Sequence, residues 1–160
     1  MTNAYACTST VGGGLRQGDN AAMGSTAIHR VIFVCRQNSR RSQMAHGLLE
    51  ARESSGLEVF SAGLDGAGGL AEEAITVMEE QGIDLLGQSS NSLREYLPEL
   101  FSAVIVLCGC LPELPPPWQQ RPLVEDWDIP DPTAGDLDSH RRARDLITGR
   151  IDVLLQQLTV

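Results

Sequence analysis

Residues 31–42 read V-I-F-V-C-R-Q-N-S-R-R-S, and this stretch decides the predicted fold. Its first four residues are apolar and mostly β-branched, which is typical of a buried strand. The residues from Cys35 onward are polar and predict a loop, after which apolar residues recur at helical spacing over 43–53. A strand, a polar loop and a helix therefore follow one another.

Short apolar runs and helical patterns alternate along the rest of the chain. The further predicted strands cover residues 57–61, 103–107 and 121–127, and the further predicted helices cover residues 70–82 and 140–158. Such alternation is typical of a parallel sheet with helices on both faces. We therefore expect one α/β domain over residues 29–160, a three-layer sandwich around a four-stranded parallel sheet.

Composition and charge exclude several classes of protein. Hydrophobic residues make up 42% of the 160 residues and charged residues 21%, which is the balance of a globular chain. The net charge of −9 disfavours binding to nucleic acid or to anionic membranes, because the long-range field repels polyanions. No apolar run approaches the roughly 20 residues that a membrane span needs.

The first part of the chain and the four cysteines indicate the compartment. Residues 1–28 are rich in small and polar residues, and we expect a flexible N-terminal tail there. They lack the basic start and apolar stretch of a secretory signal, so we expect a cytoplasmic protein. In such a reducing compartment, thiols are catalytic, redox-active or buried rather than permanently bridged. The cysteines are Cys7, in the tail and without an assigned role, Cys35, Cys108 and Cys110.

The loop that starts at Cys35 has the composition of an oxyanion site. Loop amides and a helix N-terminus can converge on a tetrahedral oxyanion, and Arg41 can bind two of its oxygens. The same positive surroundings favour a thiolate at Cys35, to which Ser42 can donate a hydrogen bond. A nucleophile at the floor of an anion site is suited to displacement at phosphorus or arsenic. The alternative is a core cysteine that ends a strand and a solvated helix arginine.

These residues resemble a known family. The run V-I-F-V-C-R-Q-N-S-R-R-S-Q-M-A-H-G resembles the opening of the low-molecular-weight protein tyrosine phosphatase superfamily, and S-Q-M-A-x-G resembles its arsenate reductase branch. The resemblance continues through residues 61–63, 74–85, 106–108 and 126–132. It implies a low-molecular-weight phosphatase-like fold and an enzyme with a cysteine nucleophile.

The resemblance also implies a role for each residue of the site. Cys35 would be the nucleophile, Ser42 would stabilise its thiolate, and Asp131 would protonate the departing oxygen. Asn38 would hold the unusual backbone of the loop. The oxyanion would be bound by the side chains and amides of the loop: Arg36, Gln37, Asn38, Ser39, Arg40 and Arg41. Without the resemblance, Asp131 is explained equally well as a turn residue before proline.

Additional thiols distinguish a reductase from a phosphatase on this fold. A phosphatase lets water cleave the cysteine adduct, whereas a reductase needs a second thiol to attack the adduct's sulfur. Cys108 and Cys110 supply such thiols after the third strand, and a disulfide across so short a separation is expected to be readily reduced. The alternative is a buried Cys108 and a Cys110 without a role. Two thiols without further ligands are too few for zinc, so we expect no metal.

Departures from the relatives narrow the choice of electron donor. Thioredoxin-coupled arsenate reductases usually carry their second cysteine where this chain has Pro115, whereas the C-G-C arrangement resembles a cyanobacterial type that uses glutathione and glutaredoxin. Many phosphatases of the superfamily have a tyrosine where this chain has Thr133, which weakens the interpretation as a phosphotyrosine phosphatase.

The loop itself also departs from the family, because relatives commonly have a cysteine at the position of Arg40. With Arg36, we expect Arg40 to add positive potential at the mouth of the site, so that Arg40→Cys weakens anion binding at low salt.

We therefore predict an arsenate reductase that binds no cofactor. It would convert As(V) to As(III) through a Cys35–arsenate adduct and a Cys108/Cys110 thiol relay, with phosphate as a competing anion. Glutathione is the expected co-substrate, and glutaredoxin, in preference to thioredoxin, the expected protein partner. The alternatives are a low-molecular-weight protein tyrosine phosphatase and a non-catalytic oxyanion-binding or thiol redox-sensing protein. The sequence leaves the oligomeric state open.

The remaining titratable residues are assigned to the surface. His46 stands one turn into the first predicted helix, where the family usually has an acid, and it is expected to be exposed. His29 and His140 are likewise expected at the surface. The acidic residues of the predicted helix 70–82 are expected to form one solvated face: Glu72, Glu73, Glu79 and Glu80.

Overall fold

The fold is built around a parallel sheet, as the computed structural model shows for residues 29–52 and 55–158. Its four strands are β1 (His29–Cys35), β2 (Leu57–Gly63), β3 (Ala103–Val106) and β4 (Leu123–Asp126). The order across the sheet is β2-β1-β3-β4, so β1 lies between two neighbours. The expected four-stranded parallel α/β fold is confirmed. The expected tail, with Cys7, lies outside the described residues.

Helices and short turns cover both faces of this sheet. The α-helices are α1 (Arg41–Glu50), α2 (Glu72–Glu79), the single turn α3 (Pro116–Gln119) and α4 (Leu137–Leu158). Single 3₁₀ turns cover Leu93–Glu95, Pro98–Leu100 and Leu111–Glu113. The α1 helix begins before the predicted residue 43, because the loop arginine already has helical backbone. In the described chain no helix has the length and apolar character for crossing a membrane.

Alternate residues of β1 point into two separate cores, as the twofold repeat of a strand dictates. On one face, Phe33 and Cys35 pack among residues of α1, α2 and α4. On the other face, Val34 packs among residues of β3, α3 and the short turns, and this second core includes Cys110. The helical layers therefore lie on opposite sides of the sheet. Cys35 and Cys110 belong to different layers.

The carboxyl ends of the strands position the candidate site. The strand ladder continues past β3 and β4, because Leu107 N donates to Val34 O at 2.8 Å and Trp127 N donates to Val106 O at 2.8 Å. Ile129 N then donates to Leu107 O at 2.9 Å. These bonds carry the chain after β4 toward the end of β1. In open parallel sheets, ligands bind at this edge.

Candidate active site

Cys35 is the last residue of β1, and only 3% of its surface is exposed. The Ser42 Oγ atom lies 2.9 Å from the Cys35 Sγ atom. Asn38 Nδ2 donates a hydrogen bond to the same Oγ at 2.8 Å. Because the Ser42 oxygen already accepts from Asn38, its own O–H is left to donate to the sulfur as a thiolate. The structure thus brings together three residues that the sequence assigned to one site.

Asn38 holds the centre of the loop in a left-handed conformation, with φ of 52°. The residue is fully buried, so its strained backbone is fixed by contacts on every side. Its Oδ1 accepts from Asn91 N at 2.7 Å and from Gln43 Nε2 at 3.2 Å. Its carbonyl accepts from Gln43 Nε2 at 3.0 Å and from Ser90 Oγ at 2.9 Å. The expected structural role of Asn38 therefore has a full set of partners.

The carbonyl groups of the loop point away from its interior. Four of them accept backbone hydrogen bonds of 2.7–3.0 Å from the segment 64–71. The pairs, acceptor first, are Cys35 with Leu64, Arg36 with Asp65, Gln37 with Gly68, and Ser39 with Ala71. Because a trans peptide places its N–H opposite its carbonyl, the N–H groups of Arg36, Gln37, Asn38 and Arg40 turn to the other side. Converging amides of this kind form an anion-binding nest.

These amides border a cavity of about 90 Å³. Its lining consists of Cys35, Arg36, Gln37, Ser39, Arg40, Arg41 and Asp131. Gly63, at the end of β2, lets the loop approach the sheet, because a Cβ there would collide with the backbone of Arg36, Gln37 and Gly66. The glycine of the Ala62-Gly63 pair that ends β2 is therefore required for the loop to form the site.

The guanidinium of Arg41, which lines this cavity, is held in place by its neighbours. Its side chain is 8% exposed, and its NH1 atom donates to Ile129 O at 2.9 Å. Its NH2 atom lies 3.4 Å from Asp131 Oδ1. The Asp131 side chain is 72% exposed, so it faces solvent at the opening of the cavity. A carboxyl group there can give a proton to an oxygen that leaves toward solvent.

The comparisons with known proteins agree with this geometry. The family of low molecular weight phosphotyrosine protein phosphatases matches residues 30–160. The chain belongs to this family. Within it, the chain is 36% identical over 130 residues to a glutaredoxin arsenate reductase of Synechocystis, covering 81% of this chain and 98% of the relative. It is 32% identical over 142 residues to a protein-arginine-phosphatase of Geobacillus stearothermophilus, covering 81% and 96% of the two chains.

Solved structures of the family have the same fold. The chain resembles an arsenate reductase in the phosphate-binding state, with a TM-score of 0.75 and 36% identity over 81% of this chain and 98% of the other. An arsenate reductase in the oxidized state gives a TM-score of 0.76 at 35% identity, with the same coverage. An arginine phosphatase of Geobacillus stearothermophilus gives 0.71 at 27% identity, covering 81% and 92% of the chains. Both activities thus occur among this family's members.

The second pair of thiols lies beyond β3. Cys108 and Cys110 are joined as a disulfide with their Cα atoms 5.1 Å apart, while Cys35 is a free thiol. Cys110 is fully buried and Cys108 half-buried, and both pack against the core opposite to that of Cys35. The register pairs Val34 with Val106. Leu107 therefore lies beside Cys35, and Cys108 comes next in the chain. The Cys108 sulfur, however, is directed to the other face of the sheet.

The two outer arginines of the loop are paired with acidic residues. Arg36 donates two hydrogen bonds to Glu113, at 2.7 and 2.6 Å, and this pairing raises the pKa of Arg36 and lowers that of Glu113. Arg40 NH2 lies 3.4 Å from Glu73 Oε1. Both arginines line the cavity. The added positive potential expected from them is reduced, because a carboxylate faces each guanidinium.

Two histidines are not surface residues, and their assignment to the surface is wrong. His140 is fully buried: its Nε2 accepts from Arg40 Nε at 3.0 Å, so its Nδ1 carries the proton and donates to Asp136 O at 2.8 Å. The His46 side chain is 16% exposed, and its Nδ1 lies 2.9 Å from Ser61 Oγ. Burial lowers the pKa of His46, although Glu50 opposes the shift. Their buried positions follow from tertiary packing.

The acidic face of α2 is only partly solvated. Glu73 is paired with Arg40 and also accepts from Gly135 N, and this backbone hydrogen bond is the main cause of its lowered pKa. Glu80, just after α2, accepts from Arg141 and Arg144, which lower its pKa to about 2. Glu72, Glu79 and Glu80 are exposed, as expected, whereas Glu73 is half-buried. Part of the predicted face therefore serves to dock α2 against α4.

The sequence interpretation missed the residues that support the loop from outside. Gln43 bonds the Asn38 carbonyl and Ser89 O, and Gln88 Nε2 donates to Gln43 Oε1 at 2.7 Å. Gln43 directly follows the predicted loop, but nothing in a local pattern shows that it is buried. No group of three or more possible metal-ligating side chains occurs within residues 29–52 and 55–158.

Proposed function

We propose that this protein is an arsenate reductase that converts As(V) to As(III) with thiols of its own chain. One observation carries the proposal: beyond the strand next to Cys35, the chain holds the Cys108–Cys110 disulfide. A phosphatase needs only the thiol and the oxyanion cavity. A cysteine pair that closes to a disulfide supplies the two electrons that reduction of As(V) requires. The glutaredoxin arsenate reductase among the relatives supports the same function.

The first step is displacement at arsenic. The Cys35 thiolate attacks the arsenic atom, an S–As bond forms and an As–O bond breaks. The departing group is a hydroxyl of the arsenate, which takes one proton from Asp131 and leaves as water. The loop N–H groups and the Arg41 guanidinium hold the remaining oxygens, where they stabilise the charge that develops. Ser42 orients and stabilises the thiolate before attack.

The second step transfers the electrons. The Cys108 thiolate attacks Cys35 Sγ, an S–S bond forms, and the electron pair of the S–As bond goes to arsenic, which leaves as arsenite. The Cys110 thiolate then attacks Cys108 Sγ and displaces Cys35 as a thiolate. The product is the Cys108–Cys110 disulfide with a free Cys35, which is the arrangement of thiols in this structure.

This cycle requires the turn 108–110 to open toward Cys35. In the disulfide state both sulfurs pack on the opposite core. Gly109, at φ of 68°, provides a glycine pivot between them. Because Leu107 already lies beside Cys35 in the sheet, a local change at the turn brings Cys108 to the adduct without altering the strands.

The disulfide is reopened by two external thiol equivalents. We propose glutathione, which is oxidised to its disulfide as Cys108 and Cys110 regain their protons, with glutaredoxin as the protein that accelerates the exchange. Cys108, which is half-buried, is the more accessible residue of the pair, since Cys110 is fully buried. Phosphate competes with arsenate, because the two anions share shape and charge. A cytoplasmic location suits a cycle that depends on reduced thiols.

The test is arsenate-dependent NADPH oxidation with glutathione, glutaredoxin and glutathione reductase. We expect activity in the wild type and in Cys7→Ser, and none above background in Cys35→Ser or Cys108→Ser. Absence of activity in the wild type, with thioredoxin and its reductase also tried, would overturn the proposal. Activity retained in Cys108→Ser would show that glutathione, rather than the internal thiol, resolves the adduct.

A phosphatase is the second candidate, because Asp131 and Arg41 equally suit a phosphate monoester. The protein-arginine-phosphatase among the relatives supports this alternative. Hydrolysis of p-nitrophenyl phosphate at a rate that exceeds arsenate turnover, unaffected by Cys108→Ser, would favour it. Tight arsenate or phosphate binding without turnover of either would favour a binding or redox-sensing role.

A further inference from the structure

The Asp126 carboxylate, which the proposed chemistry does not use, accepts backbone hydrogen bonds from the turn that holds the disulfide. Asp126 is the last residue of β4. Its Oδ1 accepts from Gly109 N at 3.0 Å, and its Oδ2 accepts from Leu111 N at 3.0 Å. Its Oδ1 also accepts from Asp128 N at 2.9 Å. One carboxylate therefore binds the backbone on both sides of Cys110.

The backbone conformation of the turn suits these hydrogen bonds. Gly109 has φ of 68°, and a Cβ placed on it would lie 2.5 Å from Asp128 Oδ1. Asp128 is itself in a left-handed conformation, with φ of 48°, and its N–H points at Asp126. The two chain segments are thus fitted to each other around one acceptor. Hydrogen bonds to a charged acceptor are roughly twice as strong as neutral ones.

We propose that Asp126 is a positioning residue that keeps Cys108 and Cys110 close and so stabilises their disulfide. This inference rests on the proposed function, in which that disulfide is the end state of each turnover. A dithiol whose backbone is held in place loses less conformational freedom on closing than one on a free turn. Removing the carboxylate releases the turn, so the dithiol form gains freedom and the disulfide is reduced more readily.

The experiment measures the equilibrium between the Cys108–Cys110 disulfide and glutathione redox buffers in the full-length protein, with alkylation of free thiols as readout. For Asp126→Ala we expect about a tenfold shift toward the dithiol, which is a reduction potential about 30 mV less negative. Asp126→Asn is expected to shift it in the same direction by a smaller factor. Whichever way its amide is turned, one nitrogen replaces an accepting oxygen.

Asp84→Ala is the matched control. Its Oδ1 accepts from Leu86 N at 2.9 Å, the same spacing as Asp126 with Asp128, in an exposed turn outside the relay. We expect no change in the glutathione equilibrium for this variant. Near-ultraviolet circular dichroism verifies that each variant is folded. If Asp126→Ala does not fold, Asp126→Asn decides the question.

A folded Asp126→Ala or Asp126→Asn protein with the wild-type glutathione equilibrium would overturn the proposal. An equal shift in Asp84→Ala would also overturn it, since loss of any turn carboxylate would then suffice. The result is independent of arsenate, so it separates from the proposed function. A protein without arsenate turnover can still show the shift, and an active reductase can lack it.

Discussion

Asn38 donates its side-chain amide to the Ser42 hydroxyl at 2.8 Å, and this bond orients the hydroxyl toward the sulfur of Cys35, 2.9 Å away. The nucleophile is thus prepared by a side chain that does not line the oxyanion cavity. The same Asn38 holds the loop backbone in its left-handed turn. Shape and reactivity of the loop therefore depend on one side chain.

Removing the hydroxyl lowers the rate of the first chemical step. We expect Ser42→Ala to reduce kcat by about tenfold to a hundredfold, because a hydrogen bond to a charged group contributes about 1.5–3 kcal/mol. Steady-state kinetics with arsenate provides the measurement. Thr148→Ala is the control, since its hydroxyl donates to Arg144 O within α4 at 2.9 Å. Wild-type kcat in Ser42→Ala would show that the thiolate needs no such donor.

Replacing Asn38 destabilises the fold for two separable reasons. Asn38→Ala leaves the Asn91 N–H without its acceptor, removes one of the three acceptors of Gln43 Nε2 and places alanine at positive φ, at a cost of about 3 kcal/mol. Asn38→Gly loses the same hydrogen bonds but tolerates the backbone, so we expect it to be about 1 kcal/mol less destabilised. Urea unfolding of the two variants distinguishes the terms. Equal stability of both would contradict the role assigned to the backbone conformation.

The pairing of Arg40 with Glu73 tunes the charge at the mouth of the site. Arg40→Gln should weaken phosphate inhibition about threefold to tenfold at low salt, and Glu73→Gln should strengthen it, because each changes the potential by one charge near the anion. Both effects should shrink in high salt, because dissolved ions screen charges at the open mouth of the site. Inhibition constants at two ionic strengths test this. Stronger inhibition in Arg40→Gln, weaker inhibition in Glu73→Gln, or effects that do not depend on salt would contradict the electrostatic explanation.

Burial of His46 makes stability depend on pH. Its pKa is lowered in the folded state by loss of solvation, so the unfolded chain binds the proton more readily. The folded protein should therefore lose stability as pH falls below the ordinary histidine pKa of about 6.5 toward the lowered value. His46→Gln, which can still bond Ser61, should weaken this dependence. Urea unfolding at pH 7.5 and 5.5 measures the change in unfolding free energy between the two pH values. An identical change in the wild type and in His46→Gln would contradict the prediction.

Local patterns predicted the framework of the molecule well. The apolar run 31–34, the polar loop and the helix after it lie next to one another in the chain, so their order is visible in the sequence. The parallel sheet follows from the alternation of strands and helices. The ends of two elements differ from the prediction: the β4 strand is shorter than the predicted 121–127, and α4 begins at Leu137 rather than at residue 140.

Contacts between distant segments could not be predicted in this way. Arg40 and His140 are separated by 100 positions, and their hydrogen bond depends on how α4 packs beside the loop. The hydrogen bond from Leu111 N to Asp126 likewise joins the end of β4 to the turn after β3, and these segments meet only in the folded protein. The side chains of Arg40, His140 and Asp126 are polar and would be assigned to the surface from the sequence. Their contacts follow from tertiary packing, which no local periodicity reports.

A single-turnover experiment tests the internal thiol relay most directly. Fully reduced protein is mixed with arsenate in the absence of glutathione, glutaredoxin and thioredoxin, and arsenite and remaining thiols are counted. The account predicts one arsenite per chain, the loss of two thiols, and a Cys108–Cys110 disulfide identified by mass spectrometry, with no arsenite from Cys108→Ser. Arsenite that forms only after glutathione is added, or equally well in Cys108→Ser, would contradict it.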